Sequence, residues 1–79
     1  MQIDYDAQAD ALYIHLREGE VADTRQVDKY IFVDVDKDGI PLGIEILFAG
    51  SLLAQNGLTS VTVNIAQPAS PADTALVPA

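Results

Sequence analysis

Residues 30–47 constrain the fold of this chain most, because they hold its longest alternating runs of apolar side chains. Successive side chains of an extended strand point to opposite faces. In both halves of the run, the residues that share one face are apolar: Ile31, Val33 and Val35 in the first half, and Leu42, Ile44 and Ile46 in the second. The pattern predicts two β-strands joined by a tight turn.

Asp38-Gly39 marks the position of that turn, since both central residues of a two-residue hairpin turn need φ > 0, which aspartate and glycine tolerate best. A loop with an even number of residues sets Val33 opposite Ile44. A three-residue loop would set Val33 opposite Gly43 and would move half of the apolar residues to the wrong face. We therefore predict an even loop.

The N-terminal residues predict a second hairpin. Residues 1–5 alternate, residues 11–17 alternate, and an even loop between them pairs Tyr5 with Leu12. Asp6 and Asp10 lie in this loop, where their carboxylates can accept hydrogen bonds from nearby backbone N–H groups and so support the turn. Residues 21–29 are polar and weakly patterned, which leaves an edge strand and an extended crossing equally open.

The C-terminal third predicts a short helix and a last strand. The helix spans residues 48–56, with Ser51 as N-cap and Gly57 after its end. A helix this short is unstable alone, so we expect it to dock on the sheet through Leu52 or Leu53. Residues 59–65 alternate again and predict the strand; its apolar face carries Val61, Val63 and Ile65.

The domain organisation follows from these elements. We predict one α+β domain over residues 1–66, a small antiparallel β-meander of four to five strands with one short helix. Residues 67–79 are rich in proline and alanine and have no periodicity, which predicts a disordered tail.

Length and composition suggest self-association. A 60-residue domain buries only about 60% of its unfolded surface. The 79 residues include no cysteine and one histidine, so neither a disulfide nor a cluster of thiolate or histidine ligands can supplement a small core. Because 49% of the residues are hydrophobic, we predict a homo-oligomer.

The net charge of −8 restricts the partners. Nucleic acids and anionic membranes repel such a chain, whereas a small basic protein complements it. The sequence shows neither a signal-peptide pattern nor an apolar run long enough to span a membrane. We therefore expect a cytoplasmic protein that binds no nucleic acid and no membrane.

Two motifs from the hairpins lead to a family resemblance. The first is Tyr5-Asp6 followed by residues 9–14, Ala-Asp-Ala-Leu-Tyr-Ile; the second is Val-Asp-Val-Asp at 33–36, Asp38-Gly39, and Gly-Ile-Glu-Ile-Leu at 43–47. Together they resemble the small prokaryotic family catalogued as domain of unknown function 2283. The resemblance covers residues 1–47 and departs after Leu47, where Phe-Ala-Gly replaces a more polar helix entry.

The resemblance implies a compact β-rich fold with a short helix, and it implies no activity, cofactor or catalytic residue. Some family members look like partners of small toxin-like proteins encoded beside them, which implies an antitoxin-type binding role. We therefore expect a non-catalytic protein-interaction module rather than an enzyme, with no cofactor.

A calcium site is the alternative. Asp34, Asp36, Asp38, Gly39 and Glu45 match the EF-hand loop pattern D-x-[DN]-x-[DN]-G-x5-E, and hard Ca²⁺ prefers oxygen ligands. The flanks of this motif have strand periodicity, whereas an EF-hand loop is flanked by helices. The pattern therefore favours an acidic hairpin tip, with a weak cation site at Asp34, Asp36 and Asp38 as the alternative function.

The second face of the predicted sheet holds the candidate interface. Its large side chains are Tyr13, Tyr30, Phe32 and Leu47, which form either a surface for a partner or the contact of the docked helix through Leu52 or Phe48. His15 lies on the same face without a serine, a cysteine or a second histidine near it in the strand, which favours a semi-exposed sheet residue over a general base.

Overall fold

The computed structural model describes residues 1–53 and 58–66, and it confirms the α+β class. The described elements are β1 (Gln2–Asp6), β2 (Ala11–His15), β3 (Asp23–Asp28), β4 (Ile31–Val35), β5 (Pro41–Leu47) and α1 (Ala49–Leu53). No helix in this part of the chain is long and apolar enough to cross a membrane.

The five strands form one antiparallel sheet in the order β1-β2-β5-β4-β3. β5 lies at the centre, paired with β2 on one side and with β4 on the other. The N-terminal hairpin has the predicted register, with Tyr5 opposite Leu12 and Ile3 opposite Ile14. The weakly patterned residues 21–29 supply β3, so the edge strand formed and the extended crossing did not.

The central hairpin has the predicted register in its body, with Val33 opposite Ile44 and Ile31 opposite Ile46. The prediction of an even loop is wrong. The Asp36 N–H donates to the Ile40 carbonyl at 2.9 Å and the Gly39 N–H donates to the Asp36 carbonyl at 3.0 Å, which encloses the three residues 37–39.

A β-bulge reconciles the odd loop with the register. Val35 lies opposite Pro41 and Asp34 lies opposite Gly43, which leaves Leu42 as the additional residue. One additional residue on one strand cancels the one-residue slip that a three-residue loop introduces. At the tip, Gly39 takes a positive φ of 79°, whereas Asp38 does not adopt the positive φ expected for a two-residue turn.

The described part of the helix differs from its prediction. α1 begins at Ala49, directly after Phe48 with φ 53°, so Ser51 is not its N-cap. Ala49 and Gly50 are buried in the contact with the sheet. Leu52 and Leu53 are 49% and 55% exposed, so the predicted docking through them is wrong.

The predicted last strand is also wrong for this chain. Residues 58–66 form no strand, and Val61, Val63 and Ile65 are 51%, 58% and 76% exposed. An alternating pattern makes a segment suitable for a strand. A strand also needs an adjacent strand to hydrogen-bond with, and the pattern does not determine whether one is present. The predicted C-terminal end of the helix around residues 54–57 and the predicted tail over 67–79 lie outside the described residues.

The core is small. Four apolar residues of the described chain are buried, and they lie at both ends of the sheet: Leu12 and Ala49 near the β1–β2 turn, and Val35 and Leu42 near the central hairpin turn. Most other apolar side chains of the sheet remain half-buried.

Candidate interaction surface

The sheet has one apolar face, on which the strands other than β3 place only uncharged side chains. Beside Tyr5, six aliphatic side chains of this face are half-buried rather than buried, and we call these six the apolar face: Ile3, Ile14, Ile31, Val33, Ile44 and Ile46. The only charged strand residues on this side come from the edge strand β3, where Asp23 lies opposite Val35, Arg25 opposite Val33 and Asp28 opposite Ile31.

The opposite face, which we call the polar face, carries most of the charge of the sheet. The strand registers place its ionisable residues together: Asp4, Asp6, Tyr13, His15, Asp34 and Glu45. Four of these six are carboxylates, so the polar face is acidic.

Asp34 is the centre of a hydrogen-bond network on the polar face. The Tyr13 hydroxyl donates to Asp34 Oδ2 at 2.6 Å, and the Thr24 hydroxyl donates to Asp34 Oδ1 at 2.6 Å. The network joins β2, β4 and β3 across β5. It requires Gly43, since a Cβ there would lie 2.6 Å from Tyr13 Cε1 and closer still to the hydroxyl oxygen.

The same contact shifts the titration of Tyr13. Its hydrogen bond to Asp34, together with burial and the nearby negative charge of Asp34, raises the pKa of Tyr13 to about 12. Tyr13 therefore keeps its hydroxyl proton at every physiological pH. It donates this proton to the Asp34 carboxylate and so fixes the orientation of that group.

His15 also contacts an acid on this face. Its Nε2 lies 2.8 Å from Asp4 Oδ2, with both side chains about half exposed, and its ring centroid lies 4.5 Å from that of Tyr13. Hydrogen bonds from Gln2 and then from His15 lower the pKa of Asp4. The contact links β2 to β1, and the described hydrogen bonds place no nucleophilic side chain against the imidazole.

Asp10 joins the sheet to the helix, a role that sequence reasoning missed. Its Oδ1 accepts the Tyr5 hydroxyl at 2.6 Å and the Gly50 N–H at 2.7 Å, and its carbonyl accepts the Ala49 N–H at 2.9 Å. The hydrogen bonds from Tyr5 and then from Gly50 lower the pKa of Asp10, while Asp10 raises the pKa of Tyr5.

No local signal reveals this role, because Gly50 lies 40 residues away along the chain. Asp10 itself has φ 52°, a left-handed conformation that aspartate tolerates. The other acid of this turn acts locally: Asp6 Oδ1 accepts the N–H groups of Gln8 at 3.0 Å and Ala9 at 3.1 Å.

The four large residues of the sequence-predicted interface are half-buried: Tyr13, Tyr30, Phe32 and Leu47. The hydroxyl of Tyr13 is hydrogen-bonded to Asp34. Tyr30 packs edge-to-face against Phe48, with ring centroids 5.0 Å apart, and Lys29 Nζ lies 5.3 Å from the Tyr30 centroid. The helix entry therefore reaches Tyr30 through Phe48.

The structure does not bring the three hairpin acids together. Asp36 Oδ1 accepts the N–H groups of Asp38 at 2.8 Å and Ile40 at 2.9 Å, so it supports the turn. Asp34 is turned to the polar face. Within residues 1–53 and 58–66, no group of three carboxylate or imidazole side chains is placed to hold a metal ion.

Comparison with known families returns one match. The model of the family described as "Protein of unknown function (DUF2283)" matches residues 2–49, which is more than half of the chain and confirms the resemblance seen in the two hairpin motifs. No curated protein and no solved structure matches the chain.

Proposed function

Because the chain belongs to the DUF2283 family, whose description assigns no function, we propose its role from the structure. It is a non-catalytic interaction module that self-associates through the apolar face and presents the acidic polar face to a basic protein partner. The observation that supports this most is the half-buried state of all six side chains of the apolar face.

Within residues 1–53 and 58–66, no second layer of secondary structure covers the apolar face. A sheet that is apolar on one side gains stability by burying that side against a second layer about 10 Å away. The described part of α1, Ala49–Leu53, is buried through Ala49 and Gly50 and does not supply such a layer. Burial is worth roughly 25 cal/mol per Å² of apolar surface, which favours association through the surface that the six half-buried Ile and Val side chains still expose.

The charge distribution favours a second copy as the occupant. Two chains with net charge −8 repel each other, and the repulsion is smallest where the surface is uncharged. The apolar face offers a basic protein only the carboxylates of Asp23 and Asp28, both on the edge strand β3. The polar face offers further carboxylates, in Asp4 and Glu45, and it is the surface for a basic partner.

The self-association is tested by substituting Ile44, which lies on the central strand between Ile14 and Val33. Ile44→Thr keeps a β-branched side chain but removes apolar surface, so we expect the monomer to fold and the dimer to weaken. Ile40→Thr is the matched control, since Ile40 lies at the hairpin tip and is 37% exposed. Molar mass is measured by light scattering after size exclusion.

A wild-type protein that stays monomeric at high micromolar concentration would contradict self-association. So would a dimer that Ile44→Thr and Ile40→Thr weaken equally, because the apolar face would then not be the interface. Circular dichroism of both variants separates loss of the dimer from loss of the fold.

The sharpest form of the partner proposal is an antitoxin-like role, which rests on the family resemblance. Native mass spectrometry of the tagged protein, purified gently from its own host, should show a complex with a small basic chain. We expect the complex to weaken with salt and in the double variant Asp4→Asn, Glu45→Gln, because the attraction is electrostatic. A complex indifferent to both changes would show that the polar face is not the binding surface.

A further inference from the structure

Residues 59–65 have the alternating sequence pattern of a strand, but they pair with no other strand in the described structure. Their sequence, Thr-Ser-Val-Thr-Val-Asn-Ile, is rich in β-branched residues and alternates strictly. Among the described residues, none of the 58–66 segment takes part in a strand or in a backbone hydrogen bond with another segment. Val61, Val63 and Ile65 therefore expose an apolar stripe, at 51%, 58% and 76%.

The sheet has two open edges, and they differ in how well they could accept another strand. β3 is exposed along its whole length, is interrupted by a bulge between Gln26 and Asp28, and turns Asp23 and Arg25 to the apolar side. Bulges and inward-pointing charges are the devices that guard an edge against pairing. An apolar stripe added there would lie beside charges.

β1 has none of these guards. Its five residues pair with β2 in unbroken register, and its burial alternates, with Ile3 and Tyr5 half-buried on the apolar side. An added strand with the same alternation would extend the apolar face by one strand. Its polar residues would fall beside Gln2 and Asp4.

We propose that residues 59–65 of one copy pair antiparallel with β1 of a second copy, an inference that rests on the self-association proposed above. Centring the seven residues on the five of β1 sets Val63 opposite Ile3, Val61 opposite Tyr5 and Thr62 opposite Asp4. Every apolar residue then lies opposite an apolar one. Antiparallel pairing is also the only arrangement in the rest of this sheet.

A second copy fits better than the segment's own chain, because in the chain itself the segment lies off the ladder. Each copy carries one unpaired segment and one unguarded edge, so a reciprocal exchange closes after two copies with two-fold symmetry. The connection is long enough: residues 54–58 can span at most about 20 Å. Stacked sheets lie only about 10 Å apart, so a segment can cross from one layer to the other.

Cysteine cross-linking tests the exchange, and the absence of native cysteine gives a clean background. Asp4→Cys and Thr62→Cys are made in separate chains of different mass, mixed, and oxidised mildly. We expect the mixed disulfide at least about tenfold faster than for Gln26→Cys mixed with Thr62→Cys, because pairing raises the effective concentration of the two thiols. Gln26 lies on the guarded edge strand β3 and is the matched control.

Equal rates at the two edges would overturn the exchange. So would an intramolecular disulfide in the double variant Asp4→Cys, Thr62→Cys that excludes the mixed product, because the segment would then pair within its own chain. A wild-type dimer with either result leaves self-association standing and removes only the exchange, whereas a wild-type monomer removes both. Amide exchange in wild-type protein is a second readout: protection of β1 should rise with protein concentration more than that of β3.

Discussion

The two faces of the sheet are built in different ways. On the polar face, named side chains meet in pairs with short hydrogen bonds, as in Tyr13 to Asp34 and Thr24 to Asp34. On the apolar face, six Ile and Val side chains remain half-buried. The comparison shows that the polar face is held by specific pairwise hydrogen bonds, whereas the side chains of the apolar face are held by packing alone and remain partly open to solvent.

The largest effect should come from Gly43, where the polar face is packed most closely. In Gly43→Ala, the new methyl group overlaps the Tyr13 ring and must displace it from Asp34. Overpacking of this kind costs about 1–3 kcal/mol, and we expect the upper end because a hydrogen bond is lost with it. Urea unfolding with a linear extrapolation measures the change in the free energy of unfolding.

A double-mutant cycle is the control. In a Tyr13→Ala background, Gly43→Ala has no ring to displace, so its cost should fall by more than half. If Gly43→Ala costs the same in both backgrounds, the two residues are not coupled, and the polar face is less specific than its geometry indicates.

The stability contributed by the apolar face should instead depend on protein concentration. If the native state is a dimer, stability per mole of dimer rises by about 1.4 kcal/mol for each tenfold increase in concentration, because the partner binds only the folded chain. Differential scanning calorimetry at several concentrations should show a rising Tm in wild type and a flatter dependence in Ile44→Thr. A Tm independent of concentration would mean that the apolar face, like the polar face, contributes no stability through self-association.

A smaller effect is expected at Asp10, which holds the helix entry against the sheet. Asp10→Ala removes the acceptor for Tyr5 and Gly50 and places alanine in a left-handed conformation, so the urea midpoint should fall. Asp10→Asn keeps an oxygen and tolerates that conformation, so it should fall less.

Lowering the pH should reduce the difference in urea midpoint between wild type and Asp10→Asn. Because folding lowers the pKa of Asp10, its charge contributes stability above its ordinary pKa of about 3.9, and that contribution is lost as the pH falls through the folded value. A difference that grows in acid would contradict the assigned hydrogen bonds.

At high pH the polar face should weaken through Tyr13. Its folded pKa of about 12 lies above the ordinary value of 10.0, so the stabilisation is complete below pH 10 and is lost as the pH rises towards 12. Unfolding midpoints of wild type and Tyr13→Phe should therefore converge over this interval. Parallel curves would show that Tyr13 is not the group responsible.

The smallest effect is expected at His15. Its contact with Asp4 is exposed on both sides, and exposed ion pairs contribute little. His15→Gln should leave the urea midpoint nearly unchanged at neutral pH. A large loss would mean that the edge of the polar face is as tightly coupled as the Tyr13–Asp34 centre.

Much of the strand structure could be predicted from alternation alone. The register of both hairpins followed from keeping apolar residues opposite each other, because a slip of one residue reverses every side chain. The loop type could not be predicted this way, since Leu42 in a bulge and three residues in the loop give the same register as an even loop. The hydrogen-bond network of the polar face could not be predicted either. The need for glycine at position 43 is evident only once the Tyr13 ring is known to pass over it.

The sequence by itself determined where strands can form, their pairing within each hairpin, and which residues make up the apolar face, because these depend on neighbours close in the chain. Only the tertiary structure decided that β2 lies against β5, that Asp10 holds α1, and that residues 59–65 stay off the ladder. These depend on which distant edges and hydrogen-bonding groups meet. Local patterning permits such contacts but does not choose among them.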